Sequence, residues 1–462
     1  MTSLQFSTLP LPTPVLDNLA TLGYHSMTPI QAQSLPVALD GRDLIAQAKT
    51  GSGKTAAFGL PIIDRLQAAR FTVQALVLCP TRELAEQVAN ELRRLARAVG
   101  NVKVLTLCGG TPIRPQIESL KFGAHVLVGT PGRIMDHLDR GTVDLSDLQI
   151  LVLDEADRML GMGFYGDVAK IVKACPARRQ TLLFSATYAD DIRQASAPFL
   201  RQPVEVKTDA VHAAGQIEQR FYEIDAERRH WAVAQLLEHF RPESTLAFCN
   251  TKAQCRELTD YLSTRGFSAL ALHGDLEQRE REDVLVQFAN RSCSVLVATD
   301  VAARGLDIDA LDAVINAELT PDAEVHIHRI GRSGRAGAKG LALSLCAPHE
   351  KRWAEQIEKY QGQPLQWASI RALKPAAGGR LRAPMVTLCI QGGKKDKLRA
   401  GDLLGALTKD AGIAGDRVGK INILEFVSFV ALERSIARQA YGSLSSGNIK
   451  GRRFKMRFMA EV

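Results

Sequence analysis

Short runs of apolar residues recur along the chain, each closing on a polar or glycine-rich turn before a stretch of helical pattern: LIAQA at 44, ALVLC at 75, VLTLC at 104, VLVGT at 126, ILVLD at 150 and TLLFS at 181. Strand followed by helix, repeated, is the rhythm of a parallel sheet built from βαβ units. After a break near 208–216 the rhythm restarts with TLAFC at 245, ALALH at 269, VLVAT at 295, AVINAE at 313 and LALSL at 341. Two tandem α/β domains are expected, over 1–208 and 216–363. A linker is expected over 364–384, where Pro364, Pro375, Gly378, Gly379 and Pro384 interrupt any regular pattern. From Met385 the pattern changes. MVTLCI, KINIL, FVSFVAL and RFKMRF read as four strands, with helices at about 400–411 and 433–444. That β-α-β-β-α-β order predicts a small α+β domain over 385–462, ferredoxin-like, on the plan of RNA-recognition domains.

A length of 462 residues suits three such domains, and 46% apolar with 23% charged residues is ordinary globular composition. The eight cysteines are scattered and form no CxxC pair, so free thiols in a reducing compartment are expected. The N-terminus has no basic segment followed by an apolar one, and no run of 18 apolar residues occurs, which predicts a soluble cytoplasmic protein with no membrane partner. Charge sharpens the picture. From Ala376 onward 16 Lys and Arg stand against 7 Asp and Glu, a net +9, so of the total +8 the preceding 375 residues carry −1. A basic end on a nearly neutral body marks a nucleic-acid surface, although a solvated basic face would look the same by charge alone.

The segment AKTGSGKT (48–55) follows a predicted strand and precedes a helical stretch, the setting a P-loop requires. Ala48, Lys49, Thr50, Gly51, Ser52 and Gly53 would bring backbone close to phosphate oxygens. Lys54 would reach the β and γ phosphates, and Thr55 would ligate Mg²⁺. DEAD (154–157) ends the apolar run ILVL. Asp154 at a buried strand end demands compensation, which a P-loop Mg²⁺ would provide, and Glu155 is then placed to orient or deprotonate the attacking water. In HRIGRSGR (328–335), Arg332 and Arg335 are three residues apart, on one side of a helical turn, and are candidate arginine fingers.

Together with Phe6 and GYHSMTPIQ (23–31), PTREL (80–84), Gly109-Gly110, TPGR (130–133), SAT (185–187), AFCNT (247–251), QRER (278–281) and ATDVAARGLD (298–307), these motifs make residues 1–365 resemble a DEAD-box RNA helicase. The resemblance implies two RecA-like parallel-sheet domains with ATP and Mg²⁺ as cofactors. It implies that Gln31 contacts adenine beside Phe6 or Tyr24, that Asp307 touches the ribose, and that Ser185 and Thr187 couple hydrolysis to lobe closure. Thr81, Arg82, Gly110, Thr130, Arg133, Gln278, Arg281 and Thr299 would hold RNA phosphates, in a mode that pries short duplexes locally and ignores sequence.

The basic segment resembles the RNA-binding domain of a bacterial DEAD-box subfamily specific for a hairpin of 23S ribosomal RNA, acting in large-subunit assembly; TLCIQGGKKDKLRAGDLLGALT (387–408), VGKINI and NIKGRRFKMRF (448–458) carry the likeness. The strand MVTLCI has no aromatic for base stacking. Phe426 and Phe429 fall on opposite faces of the predicted third strand, so at most one can be a stacking platform and the other packs in the core. RNA is therefore expected on Lys394, Lys395, Lys397, Arg399, Lys450, Arg452, Arg453, Lys455 and Arg457, with the protein a monomer or weak dimer. Rival readings are a P-loop DNA helicase and an RNA chaperone or assembly scaffold with a decayed ATPase. The Q motif with DEAD and SAT stands against the first, and the presence of Lys54, Asp154, Glu155, Arg332 and Arg335 against the second.

Overall fold

The computed structural model describes residues 4–48, 51–188, 190–208, 217–303, 311–334, 340–377 and 381–460, arranged in two compact units that divide at about residue 211. The first unit is built on seven parallel strands, β1 (Leu44–Gln47), β2 (Ala75–Leu78), β3 (Val104–Leu107), β4 (Val126–Gly129), β5 (Ile150–Leu153), β6 (Gln180–Ser185) and β7 (Val204–Lys207), in the order β3-β4-β2-β5-β6-β1-β7. Successive side chains leave a strand on opposite faces, and here both faces are covered by helices. Thus Ala75 and Val77 join one apolar core while Leu76 and Leu78 join the other. Continuous apolar runs are the result, and all six were legible. β7, unforeseen, is an edge strand with one partner and alternating exposure, so VEVK carries no such run.

The second unit repeats the plan with β8 (Ile217–Glu223), β9 (Thr245–Cys249), β10 (Ala269–Leu272), β11 (Val295–Thr299), β12 (Ala313–Asn316), β13 (Gly340–Cys346) and β14 (Trp367–Ala368), all parallel, in the order β10-β11-β9-β12-β13-β8-β14. β8 escaped the sequence pattern because IEQRFYE carries three polar residues in succession and is only partly buried over its first four positions, next to the short edge strand β14. The interval 364–384 is not the free connector its prolines and glycines suggested. Trp367 and Ala368 pair with Phe221 and Tyr222, while Ile370 and Leu381 are buried in the second lobe's core with Leu373 packed beside them.

The third domain belongs to this same unit. Its antiparallel strands β15 (Met385–Ile390), β16 (Val418–Ile423), β17 (Ser428–Glu433) and β18 (Met456–Phe458) lie in the order β16-β17-β15-β18, the ferredoxin-like arrangement. The helices are shorter than expected: Ala400–Gly405 continues as a π-helical turn over Ala406–Asp410, and the second runs Ala437–Ser446 after a 3₁₀ turn. One sheet face, with Val386, Leu388, Ile390, Val430 and Leu432, packs on Leu403, Leu407, Ala440 and Leu444.

The opposite face, by strand alternation, presents Thr387, Cys389, Phe429, Ala431 and Arg457. It rests on the second lobe. Thr387 Oγ1 lies 2.6 Å from Ser292 Oγ and accepts from Asn290 Nδ2 at 3.2 Å, and the Met385 N–H donates to the Arg291 carbonyl at 3.3 Å. Arg457 sits 3.8 Å from Asp283. Phe429, with 3% of its surface exposed, is buried on this docked face and not in the domain's own core. Phe426 precedes β17 and stands in the turn before it, 66% exposed. Among the described residues no helix is long and apolar enough to cross a membrane.

Because Ile370 fills the second lobe's core, Ile370→Ala in the full chain is expected to cost about 2–4 kcal/mol. The check is the urea midpoint of the second unit, which a free connector would leave unchanged.

Candidate nucleotide and RNA site

The carboxyl ends of the first lobe's strands carry the P-loop, DEAD and SAT, on the edge where open parallel sheets bind ligands. After β1 the chain turns through residues 51–53 into the helix Lys54–Arg65. Gly51 and Gly53 have φ of +78° and +90°, a region that glycine enters without strain. A Cβ on Gly53 would lie 2.4 Å from Gln31 Nε2. That closeness comes from hydrogen bonding: Gln31 Nε2 donates to the Gly53 carbonyl (3.0 Å), its Oε1 accepts from the Thr28 N–H (2.9 Å), and Thr28 Oγ1 donates to the Ser52 carbonyl (2.7 Å). The resemblance implies adenine contact for Gln31; in this structure its amide braces the P-loop through both ends. Phe6 and Tyr24 meet edge to face at 5.9 Å, and Tyr24 donates to Glu91 (2.8 Å); burial first, and then the Glu91 carboxylate, push the phenol above its usual range.

Lys54 is buried and donates to the Ala48 carbonyl at 3.1 Å. Thr55 follows in the first turn of the helix, where backbone N–H groups lack intrahelical acceptors. Asp154, at the end of β5, is buried. Desolvation pushes its carboxyl up to about 7 against the opposing charge of Lys54, with Glu155 beside it adding to the rise. Glu155 is held in the left-handed region at φ 50°, buried, its carboxylate accepting from Arg158 at 2.8 Å. The sequence pattern marks Asp157 only as an acid at a helix start. It accepts from both the N–H and the Oγ1 of Thr187 (3.2 Å each) and donates its own N–H to Ser185 Oγ (3.3 Å). DEAD and SAT are thereby joined, a link across 30 residues that no local pattern signals.

The remaining motifs of the first lobe gather on the same edge. The Arg82 guanidinium lies over Gly110 so closely that a Cβ there would overlap it at 1.5 Å, and Thr81 caps the helix Arg82–Leu95 by accepting from the Leu84 N–H. Arg133, one turn after Thr130, donates to Gln116 Oε1 (3.1 Å) and the Thr111 carbonyl (3.0 Å). In the second lobe Gln278 opens the helix Gln278–Ala289, Arg281 donates to the Ala302 carbonyl (2.6 Å), and Thr299 ends β11 close by. Arg332 is buried in the turn after the helix Ala323–Ile330. Lys49, Thr50, Asp307 and Arg335 lie outside the described residues.

Sequence reasoning missed Arg329 altogether. Only 2% exposed, it makes a two-pronged pair with Asp300 (Nε and Nη2, 2.7 and 2.6 Å), donates to Asn250 Oδ1 (2.9 Å) and the Glu318 carbonyl (2.7 Å), and lies 5.0 Å over the Phe248 ring. It binds the ends of β9, β11 and β12 into one loop cluster. An arginine inside a motif already assigned to phosphate contact offered no signal of this role.

In the third domain the predicted basic residues converge, with one exception. The N–H groups of Lys394 and Lys395 donate to the Leu424 and Glu425 carbonyls (2.9 and 3.0 Å), Lys450 Nζ to the Lys397 carbonyl (2.8 Å), and the Gln391 N–H to the Lys455 carbonyl (2.8 Å). Loops 391–399, 424–427 and 450–455 therefore form one corner, to which Arg399, Arg452 and Arg453 also belong. Arg457 departs from it, because alternation along β18 turns it to the docked face, towards Asp283.

A P-loop, a DEAD segment tied to SAT, and a second lobe of like plan define an ATP-hydrolysing RNA motor. Residues 28–195 match the DEAD/DEAH box helicase family and 228–337 the helicase conserved C-terminal domain. The chain belongs to the DEAD-box family of ATP-dependent RNA helicases. Residues 387–458 match the DbpA RNA binding domain, and the chain is 51% identical to the ATP-dependent RNA helicase DbpA of Escherichia coli (strain K12), over 98% of this chain and 99% of that one. It is also 43% identical to the DEAD-box ATP-dependent RNA helicase CshA of Geobacillus kaustophilus, over 82% of this chain and 81% of the relative. Among solved structures, S. cerevisiae Dbp5 bound to RNA and ADP BeF3 superposes with a TM-score of 0.73 at 29% identity, covering 79% of this chain and 96% of that one.

Removing Arg329 leaves the Asp300 carboxylate and Asn250 Oδ1 without their shared donor. Arg329→Ala is expected to destabilise the second unit by about 3 kcal/mol or more. Arg329→Lys should recover only part, since an ammonium cannot make the two-pronged contact. Urea unfolding of the two variants measures both effects.

Proposed function

We propose that the enzyme hydrolyses ATP with Mg²⁺ held by Asp154 and Thr55 and with Glu155 taking the proton of the attacking water. RNA stimulates this hydrolysis, which drives local opening of short duplexes, and the third domain directs it to a hairpin of 23S ribosomal RNA during large-subunit assembly. The carrying observation is the convergence of Lys54, Asp154 and Glu155 on one sheet edge, with Asp157 bound to Thr187. Hard oxygen donors such as the Asp154 carboxylate and the Thr55 hydroxyl suit Mg²⁺, and a bound cation would offset the desolvation that now raises Asp154. Mg²⁺ would supply charge for the phosphate oxygens. Arg332 and Arg335 would add positive charge at the γ-phosphate. The Asp157 bridge offers a route by which a change at the phosphates reaches Ser185 and Thr187, the residues proposed to couple hydrolysis to motion.

Support for the ribosomal address comes from the +9 segment and from the single corner that its loops build. Phosphate contacts alone carry no sequence information. A hairpin would be chosen by the shape of that corner and by any base it grips.

Glu155→Gln is expected to lower RNA-stimulated ATP turnover by about 100-fold or more, the usual worth of a positioned general base. Undiminished steady-state ATPase would remove Glu155 from the mechanism. Replacing Lys394, Lys395 and Lys397 together with Ala is expected to weaken binding of a 23S ribosomal RNA fragment containing the hairpin. Its salt dependence should flatten by about 0.7–0.9 for each phosphate left without its lysine. An unchanged affinity at moderate salt would place the RNA elsewhere.

A further inference from the structure

The RNA-recognition plan ordinarily stacks unpaired bases on the open face of its sheet. Here that face is closed: Thr387, Cys389, Phe429 and Ala431 are all buried, and Thr387 is hydrogen-bonded to Asn290 and Ser292 of the second lobe. The aromatic ring best placed on the face for stacking, Phe429, is therefore spent on docking. Another ring stands elsewhere. Phe426, 66% exposed, projects from the turn between β16 and β17, with Leu424 partly exposed beside it.

That turn is fixed, not loose. The Leu424 N–H donates to the Val427 carbonyl (2.9 Å), and the Leu424 and Glu425 carbonyls accept from Lys394 and Lys395. A Cβ on Gly393 would lie 2.5 Å from the Leu424 carbonyl oxygen and 2.6 Å from that of Glu425, so only glycine permits this approach. Beneath it the Ser428 hydroxyl donates to the Gly392 carbonyl at 2.6 Å. Three acids border the corner and all are engaged: Asp396 accepts from the Gly393 N–H (3.0 Å), Glu425 pairs with Lys395 (3.3 Å), and Asp402 accepts from the Arg399 N–H (2.9 Å) and pairs with Lys450 (3.4 Å). Lys394, Lys397 and Arg399 stand on the same loop, with Lys450 joined to it. A rigid, exposed aromatic ring inside a cationic corner pairs a flat apolar surface with charges suited to phosphate, which is how unpaired nucleotides are held.

We propose that Phe426 is the base-stacking platform of the third domain, taking one unpaired nucleotide of the RNA whose phosphates lie on the Lys394–Lys397 loop. The proposal rests on the reading of this domain as the RNA-binding address and adds the element that grips a base. Stacking is indifferent to salt, whereas phosphate contact is not. Phe426 therefore contributes affinity without contributing to the salt slope. Its ring touches no core, so replacing it leaves the fold intact.

The test is equilibrium binding by the full chain of a 23S ribosomal RNA fragment containing the hairpin, and of an unrelated hairpin of equal length, at several salt concentrations. Phe426→Ala is expected to weaken binding of the ribosomal fragment about 10-fold, as removal of one stacked base does, with an unaltered salt slope. Phe426→Trp is expected to retain affinity and to show fluorescence quenching on RNA addition beyond that of the parent chain. An abasic nucleotide at one loop position should make the Phe426→Ala effect vanish. Unchanged affinity of Phe426→Ala for both RNAs, or no added quenching in Phe426→Trp, overturns the platform. Equal binding of the two hairpins by the parent chain overturns the ribosomal address instead, and the platform is then judged by the Phe426→Ala effect on either RNA.

Discussion

A carboxylate at the inner end of a buried parallel strand is the constraint around which the first lobe is arranged. Asp154 cannot leave the sheet edge, because β5 is central and buried at every position, and burial, reinforced by Glu155 and Asp157 and opposed by Lys54, pushes its carboxyl up to about 7. Positive charge must come to it. Lys54 supplies part, carried there by a P-loop whose two left-handed glycines and Gln31 brace fix the path of the backbone. A carboxylate in this setting favours a positive charge beside it, which the proposed Mg²⁺ would add to that of Lys54.

The second lobe answers a similar problem internally. Arg329, almost wholly buried, has its donors met by Asp300, Asn250 and the Glu318 carbonyl, so the loops after three strands are held as one body. A buried charge with every partner in place is rigid, and loss of any partner is costly. The lobes thus treat charge differently. One leaves a carboxylate under-compensated for a ligand, and the other satisfies a guanidinium to hold a surface still.

The third domain shows how docking alters the use of a fold. Its plan offers two places for RNA, the open sheet face and the loops, and the polar contact of Thr387 with Asn290 and Ser292 removes the first. What remains is a corner of three loops. The helix on which the sheet rests is the one that begins at Gln278 and contains Arg281, so the address domain is anchored to an element that also carries expected RNA contacts of the motor.

The sequence by itself determined the two parallel sheets, because strands buried on both faces must be written as unbroken apolar runs. It also determined the nucleotide motifs, whose residues adjoin one another along the chain. The ferredoxin-like order and the basic end were equally visible. Strands β7 and β8 were not, being half-exposed and rich in polar residues, and Trp367, Ile370 and Leu381 sat among prolines and glycines that hid their packing. Only the tertiary structure joined Asp157 to Thr187, gave Arg329 its four partners, turned Arg457 to the docked face, and decided that Phe429 is buried and Phe426 exposed. The physical reason is common to all four. A side chain's role there is set by groups brought near from distant positions, and a local pattern records only which face a residue prefers, not what will be waiting on it.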